Sequence, residues 1–458
     1  MILVARISKL RILTIVFIAI VLLSVLSFGS AKPFALSLLT AAMAALFLVT
    51  VFSVKTGTAT QRCLLLVSVI LILALGWSLF QTANVSVQDA DTIYASLFFS
   101  FPAITFMTGL ILGEKVRNAR FIIKFLAVPA SLMGVACLAE FLISSDFVLG
   151  QQKLFYKDSF TLTFVNRNNA GTFLGLTSLI LMRQFWASCR NVPSLNLART
   201  LFLWQRPDRS TLIALLYAGL TLLTIIGLFL TKSRGAIGAS FVAMFILVVW
   251  LLWLRLRRQA TGRQLKVKFV GAAVVIAATM LVAFIFAGER VMLRADTIGT
   301  RDPRFCTLPA IVRMLEDNWQ FGTGAGTFVH AFPRYRDPQC GISGIWEKAH
   351  NSYLQFWIEF GLLAPILTIT CILLAAFAFV RHLGSGRSSR SYSALALCAG
   401  LLVALHAIVD FSIEIPGIAS FFAAIMAACS AIALADGTRP IRKSVDYSAA
   451  LLLNSRLR

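Results

Sequence analysis

Charged side chains are scarce in this chain. Only 13% of its 458 residues are Asp, Glu, Lys or Arg, where a soluble domain carries about a quarter. That deficit excludes an ordinary soluble globular fold. Histidine is scarcer still. There are four, no two of them at i, i+4, and neither HExxH nor a Cys/His ligand spacing occurs, which argues against a metal centre. The eight cysteines include no CxxC pair and so offer no dithiol redox motif. No G-x-S-x-G turn is present, so a nucleophile elbow is not supported. The glycines of FGTGAGTF follow no strand and precede no GK[ST], so they read as a tight turn and not as a phosphate cradle.

What fills the chain instead is apolar sequence. Hydrophobic residues make up 59% and the mean hydropathy is +0.84. Apolar runs of about 18–20 residues recur along the whole length, each long enough to cross a hydrocarbon core. Uninterrupted runs of that length point to spanning helices and not to barrel strands. Twelve spans are expected, over 11–29, 33–54, 63–83, 93–113, 121–143, 170–187, 211–231, 235–254, 269–287, 352–380, 392–412 and 416–434. The basic, apolar N-terminus could be a cleaved signal peptide, but its run Ile12–Phe28 is long for one, and it reads as the uncleaved first helix.

The net charge of +23 raises nucleic acid as a partner. Its distribution points elsewhere, because most of the 42 Lys and Arg residues fall on one side of the expected spans. The short loops of the other side are nearly free of them, as the positive-inside rule requires. No nucleic-acid partner is expected. This orientation puts both termini inside and the long segment 288–350 outside. The chain then divides into N-terminal helices 1–160, a membrane domain 161–434 that contains the loop, and a basic tail 435–458. The fold class is an all-α integral membrane protein of about twelve transmembrane helices with one large, partly helical outer loop.

Residues 288–361 form the only long polar interval, and they hold two of the four histidines. A short helix is expected there, with Pro303 near its start, running to about Asp317. Cys306 and Cys340 both fall in this loop. If the outer side is oxidising they can pair, and disulfide and free thiols both stay open. Ionisable groups in or beside spans are expensive and are read as functional first. Four groups qualify: Asn166-Arg167-Asn168-Asn169, the whole span connection TKSRG with Lys232 and Arg234, the loop residues Arg301 and Arg304, and His406 with Asp410 one helical turn on. All four fall on the outer side. Arginine presents a fixed fork of donors suited to phosphate oxygens. The bland alternative for Lys232 and Arg234 is snorkelling to the interface. A structural hydrogen bond between His406 and Asp410 is as open as a catalytic one. His350 stands at the top of the tenth span, with a side chain suited to proton transfer. Below it Asn351, Gln355 and Glu359 recur every four residues, a polar stripe reaching ~12 Å down one helix face.

Together these segments resemble the O-antigen ligase and O-antigen polymerase superfamily of bacterial polytopic membrane glycosyltransferases. The likeness rests on FVNRNNAGTFLGL at 164–176, TKSRG at 231–235, the run from Arg304 through RMLEDNWQFGTGAGTF, HNSYLQFWIEFGLL at 350–363, and HAIVDFSIEIPG at 406–417. The resemblance implies an inner-membrane enzyme of lipopolysaccharide or exopolysaccharide biosynthesis, needing no cofactor, with a periplasmic active site. Its donor would be an undecaprenyl-pyrophosphate-linked glycan. Its acceptor would be lipid A core (ligase) or a second lipid-linked glycan (polymerase). It implies that His350 deprotonates the acceptor hydroxyl and that Arg234 and Arg304 grip the pyrophosphate. Lys232, Arg301, Asn168, Asn351, Glu359, His406 and Asp410 are candidates for substrate binding. A transporter or flippase of a lipid-linked or anionic solute is the alternative, but the paired broken helices of an inverted repeat are not visible.

Overall fold

The computed structural model describes residues 8–189, 206–257, 303–340, 344–384 and 389–437, with 192, 200, 264, 267, 269–271 and 274 as isolated positions. Arg301, nearly all of the expected span 269–287 and most of the basic tail lie outside the described residues. The fold is all-α. In chain order come α1 Lys9–Leu26, α2 Pro33–Ser53, α3 Thr58–Asn84, α4 Asp89–Leu112 and α5 Val116–Ile143. A two-residue hairpin follows, β1 Phe147–Val148 against β2 Gln151–Gln152, with Phe147 opposite Gln152. Then come α6 Arg167–Cys189, α7 Arg209–Leu230, α8 Arg234–Leu256, α9 Pro303–Asn318, α10 Phe328–Ala331, α11 Ser352–Phe360, α12 Leu363–Gly384, α13 Arg390–Ala407 and α14 Pro416–Gly437.

Ten of these helices are long and apolar enough to cross a bilayer, and the chain is a multi-pass membrane protein. The 23-residue helix α6 is not among the ten. Its position explains its composition. It packs against α5, α7, α8 and α13, and every residue from Asn168 to Leu181 is buried. A helix sheathed by protein needs no lipid-facing apolar surface and can carry polar groups that find protein partners. Gly171 and Gly175 open its side toward α8. A Cβ on Gly171 would sit 2.5 Å from the Ala236 Cβ, and one on Gly175 would sit 2.2 Å from the Ser240 Oγ. Small residues four apart on both helices let the two backbones approach closely. The start of α6 and the start of α8 are thereby brought side by side.

One apolar core runs through the bundle from Phe17 on α1 to Ile432 on α14 and joins the early helices to the late ones. Ser24 on α1 bonds Ser420 on α14 at 3.0 Å, and α14 also packs on α4 and α5.

The long polar loop has a small core of its own. Ala310, Ile311 and Met314 of α9 meet Phe328, Ala331 and Phe332, together with Ala349 and Ile358. Helix α9 starts at Pro303, as the sequence suggested, and carries Pro309 in its second turn. Cys306 in its first turn is joined to Cys340 by a disulfide, with Cα atoms 5.5 Å apart. This link closes a loop of 34 residues, which in the chain-entropy picture stabilises the loop by roughly 3–4 kcal/mol. A Cys306→Ser/Cys340→Ser variant is expected to melt at lower temperature. Proteolysis of the loop should accelerate likewise in reductant, and equal protection with and without reductant would contradict the link's role.

The expected tenth span is not one helix. The chain breaks at Gly361, where φ is +61° and ψ is −151°, a region open essentially to glycine alone. A Cβ there would lie 2.2 Å from the Gln320 carbonyl oxygen. The carbonyls freed at the end of α11 all find donors, as a buried helix end requires. Ile358 accepts from Thr323 N at 2.9 Å and Glu359 from Gly324 N at 3.1 Å. Gln81 Nε2 reaches the Glu359 carbonyl at 2.7 Å, and Trp77 Nε1 reaches that of Phe360 at 2.8 Å. The glycine run is the other half of this junction: Gly322, Gly324 and Gly326 all have positive φ. It is a close-packed turn. Helix α11, with Ile358 in the loop core, belongs to the loop and not to a span.

Candidate active site

The site is built around the connection between α13 and α14. Helix α13 ends at Ala407, so Asp410 does not continue the helix one turn beyond His406 as expected. Each of the two instead reaches α6. The His406 Nδ1 is 2.7 Å from Thr172 Oγ1, and Asn168 Nδ2 donates to Asp410 Oδ2. Ser412 Oγ donates to the other Asp410 oxygen at 2.8 Å. Asn168, His406 and Asp410 are all buried.

On one side of this connection lies the turn TKSRG. Thr231 ends α7, Lys232 takes φ +54°, and Ser233 caps α8 by accepting from Ala236 N. Arg234 is the first residue of α8 and is exposed. A cation at a helix N-terminus opposes the helix dipole, so its position serves something other than helix stability. The ring of His406 lies against Gly235, where an added Cβ would be 3.0 Å from the imidazole. Arg234 therefore stands one residue before the His406 contact. Lys232 does not join it, since its ammonium pairs with Asp158 at 2.9 Å. Arg167 heads α6 and lies 5.2 Å from the Tyr156 ring.

On the other side lies His350, four residues past the loop's last aromatic anchor. Its φ is +55°, a strained value for a residue with a Cβ and one that persists only where the surroundings enforce it. The imidazole stands between Trp346, at 5.6 Å between ring centroids, and Phe411, at 5.2 Å. Trp346 leans on Phe332, so an aromatic chain runs from the loop core through His350 to the bundle. Asn351 caps α11 by accepting from Leu354 N at 3.0 Å. Glu359 accepts from Gly326 N at 3.0 Å and Phe328 N at 3.2 Å, and Gln355 bridges from it to Ala349 N. The polar stripe thus faces the loop, not a cavity deep in the bilayer. Burial raises the Glu359 carboxyl to about 7, against the lowering pull of Lys348. Burial works against the charge of Lys348, but Glu414 and Glu359 outweigh it and its pKa is raised.

Arg304 lies in the first turn of α9, two turns before Ile311 in the loop core, and its side chain lies outside the described residues along with Arg301. The structure therefore brings His350, Asn168, His406, Asp410 and the base of Arg234 into one neighbourhood. Thr172, Ser352 and Glu414 escaped the sequence reading. Their only signal is polarity at the end of an apolar run, which looks the same at any helix terminus. Among the described residues no group of three or more His, Cys, Asp or Glu is placed to hold a metal ion.

Next to the site a cavity of about 550 Å³ opens between α4, α11 and α14. Its walls are apolar and include Phe98, Phe356, Phe422 and Met426, while its rim carries Asp91, Lys348, Glu359 and Glu414. The α4 residues that line it run from Asp91 to Phe106, ~22 Å of helix.

Residues 219–369, about a third of the chain, match the family model described as O-antigen ligase (Wzy_C). The match supports the resemblance of this segment to the O-antigen ligase/polymerase superfamily. No curated protein matches the chain. The matched segment holds TKSRG, Arg304 and His350 and stops short of His406 and Asp410. The match supports an O-antigen ligase-type glycosyltransferase of surface polysaccharide biosynthesis, and the matched part carries Arg234, Arg304 and His350. Outside the match, Asn168 and Thr172 of α6 bond Asp410 and His406.

Proposed function

We propose that this protein transfers a glycan from an undecaprenyl-pyrophosphate carrier to an acceptor hydroxyl, without a metal and with inversion, at the periplasmic face of the inner membrane. The observation that carries the reading is the placement of His350. It is held in a left-handed backbone beside the α13–α14 connection, and Arg234 heads α8 on the far side of His406. The chemistry needs such a pair. A base must take the acceptor proton, and cations must meet the charge that collects on the departing diphosphate.

In this reading the imidazole of His350 takes the hydroxyl proton as the acceptor oxygen attacks the anomeric carbon. The bond from that carbon to the pyrophosphate oxygen breaks on the opposite face. The lipid pyrophosphate leaves as an anion against Arg234 and, from the start of α9, Arg304. The proton held on His350 then passes to water. Asn168, Asp410 and His406 shape the floor of this site, and Lys232 and Arg301 are further candidates for binding the donor. The cavity beside Lys348 supports a lipid-anchored acceptor, since its carboxylate rim suits sugar hydroxyls and repels a pyrophosphate.

Purified protein in proteoliposomes, supplied with lipid-linked donor and each acceptor in turn, tests this. Transfer onto lipid A core identifies a ligase, and lengthened lipid-linked glycan identifies a polymerase, in both cases undiminished by EDTA. Movement of the donor across the bilayer without any new glycosidic bond would overturn the reading in favour of a flippase.

A further inference from the structure

We propose that Glu414 is a positioning residue for His350, a role that rests on the reading of His350 as the base. The carboxylate lies on the tight turn Ser412–Glu414, and Pro416 starts α14 two residues later. It is 7% exposed. One of its oxygens, Oε1, accepts from Ser352 Oγ at 2.8 Å, and the other, Oε2, pairs with Lys348 Nζ at 2.9 Å. Ser352 also lies 3.2 Å from the Asp410 carbonyl. Lys348 and Ser352 stand two residues to either side of His350. A single carboxylate therefore grips both flanks of the histidine, one oxygen to each, from an element of the bundle.

This arrangement supplies what the backbone of His350 requires. A left-handed conformation at a non-glycine residue persists only where its surroundings over-determine it. The two anchors fix the chain before and after the residue, while Trp346 and Phe411 hold the ring between them. The clamp also aligns two parts of the molecule. It ties the loop's exit to the connection that carries Asp410, whose own oxygens are bonded to Asn168 and Ser412. A displacement of about 1 Å at a reacting group can cost roughly a hundredfold in rate, so a loosened clamp is expected to show in turnover before it shows in donor binding.

Among the described residues, the titratable groups on the elements around His350 are Glu347 and Lys348 on its own segment, Glu359 on α11, His406 at the end of α13, Asp410 and Glu414 on the α13–α14 connection, and Arg234 on α8. Glu414→Gln leaves the lysine cation unbalanced, which disfavours a protonated imidazole. Lys348→Met leaves the carboxylate unbalanced, which favours one. The test measures kcat, donor KM and the acid limb of the pH–kcat profile for both variants and for Ser352→Ala in proteoliposomes. The expected result is a tenfold to hundredfold loss of kcat, at nearly unchanged donor KM, in all three. The acid limb should move by about 0.5 pH unit or more, to lower pH in Glu414→Gln and to higher pH in Lys348→Met, and stay in place in Ser352→Ala. A purely structural tie would lower stability without these opposite displacements. Breaking one side of a buried ion pair can prevent folding, and for that reason the uncharged Ser352→Ala arm stands by itself. Wild-type kcat in Ser352→Ala, or an unmoved acid limb in both charge variants, would overturn the clamp. If His350→Ala itself turns over normally, the reading of the base has failed. An inactive His350→Ala beside wild-type Ser352→Ala refutes Glu414's role alone.

Discussion

Replacing His350 with alanine is expected to lower glycan transfer by roughly 10²–10⁴-fold while leaving donor binding within about twofold. The magnitude is that of a positioned general base. Its size depends on the geometry that holds the ring, since a histidine free to rotate would contribute less. Here Trp346 meets the imidazole edge-on, Phe411 meets it at a tilt, and the backbone is fixed at φ +55°. The measurement is single-turnover transfer from lipid-linked donor, with donor affinity taken separately. Wild-type turnover in the alanine variant would remove His350 from the mechanism. His350→Asn is the informative companion, because it keeps a polar side chain able to accept a hydrogen bond but not to carry the proton away. It is expected to be as inactive as alanine. The reaction should also slow as acid protonates the base, so wild-type enzyme is expected to lose turnover at the acid end of its profile.

Arg234→Ala is the second large effect, expected at roughly 10²–10³-fold in transfer, the cost of removing one donor from a developing negative charge. Its sign against stability is what separates function from scaffold. Arg234 is exposed and opens α8, where a cation opposes the helix dipole. The variant is therefore expected to melt at the same temperature as the wild type or slightly above it. Arg234→Lys keeps the charge but loses the planar fork that fits two phosphate oxygens at once, and should recover only part of the rate. Undiminished transfer and donor affinity in Arg234→Ala would sink the pyrophosphate role. Lys232 provides the contrast. Its ammonium is already paired with Asp158, and Lys232→Ala is expected to have the smaller effect of the two.

Much of this organisation is legible in the sequence for a simple reason. A helix that faces lipid must be apolar along its length, so composition alone reports it. All ten long apolar helices fall on expected spans. The same logic fails where a segment faces protein. The polar residues of α6 are tolerated because neighbouring helices cover them, and the break at Gly361 is enforced by the Gln320 carbonyl, 41 positions earlier in the chain. The stripe of Asn351, Gln355 and Glu359 was visible as a periodicity, but periodicity does not say what a face meets. It meets the loop's backbone N–H groups at Gly326 and Phe328.

The sequence by itself determined that the chain is a bundle of membrane helices with one polar loop, and it marked His350, Arg234, Asn168, His406 and Asp410 as groups too expensive to sit there idly. Tertiary structure decided which of them meet. Asn168 and Asp410 are 242 residues apart and Ser352 and Glu414 are 62 apart. Such pairings depend on how spans close against one another, on Gly171 admitting Ala236 and on Gly235 admitting His406. Hydropathy reports the solvent that a residue tolerates, while partnership is set by the distance of closest approach between backbones. The first is written locally in the chain, and the second exists only once the helices are packed.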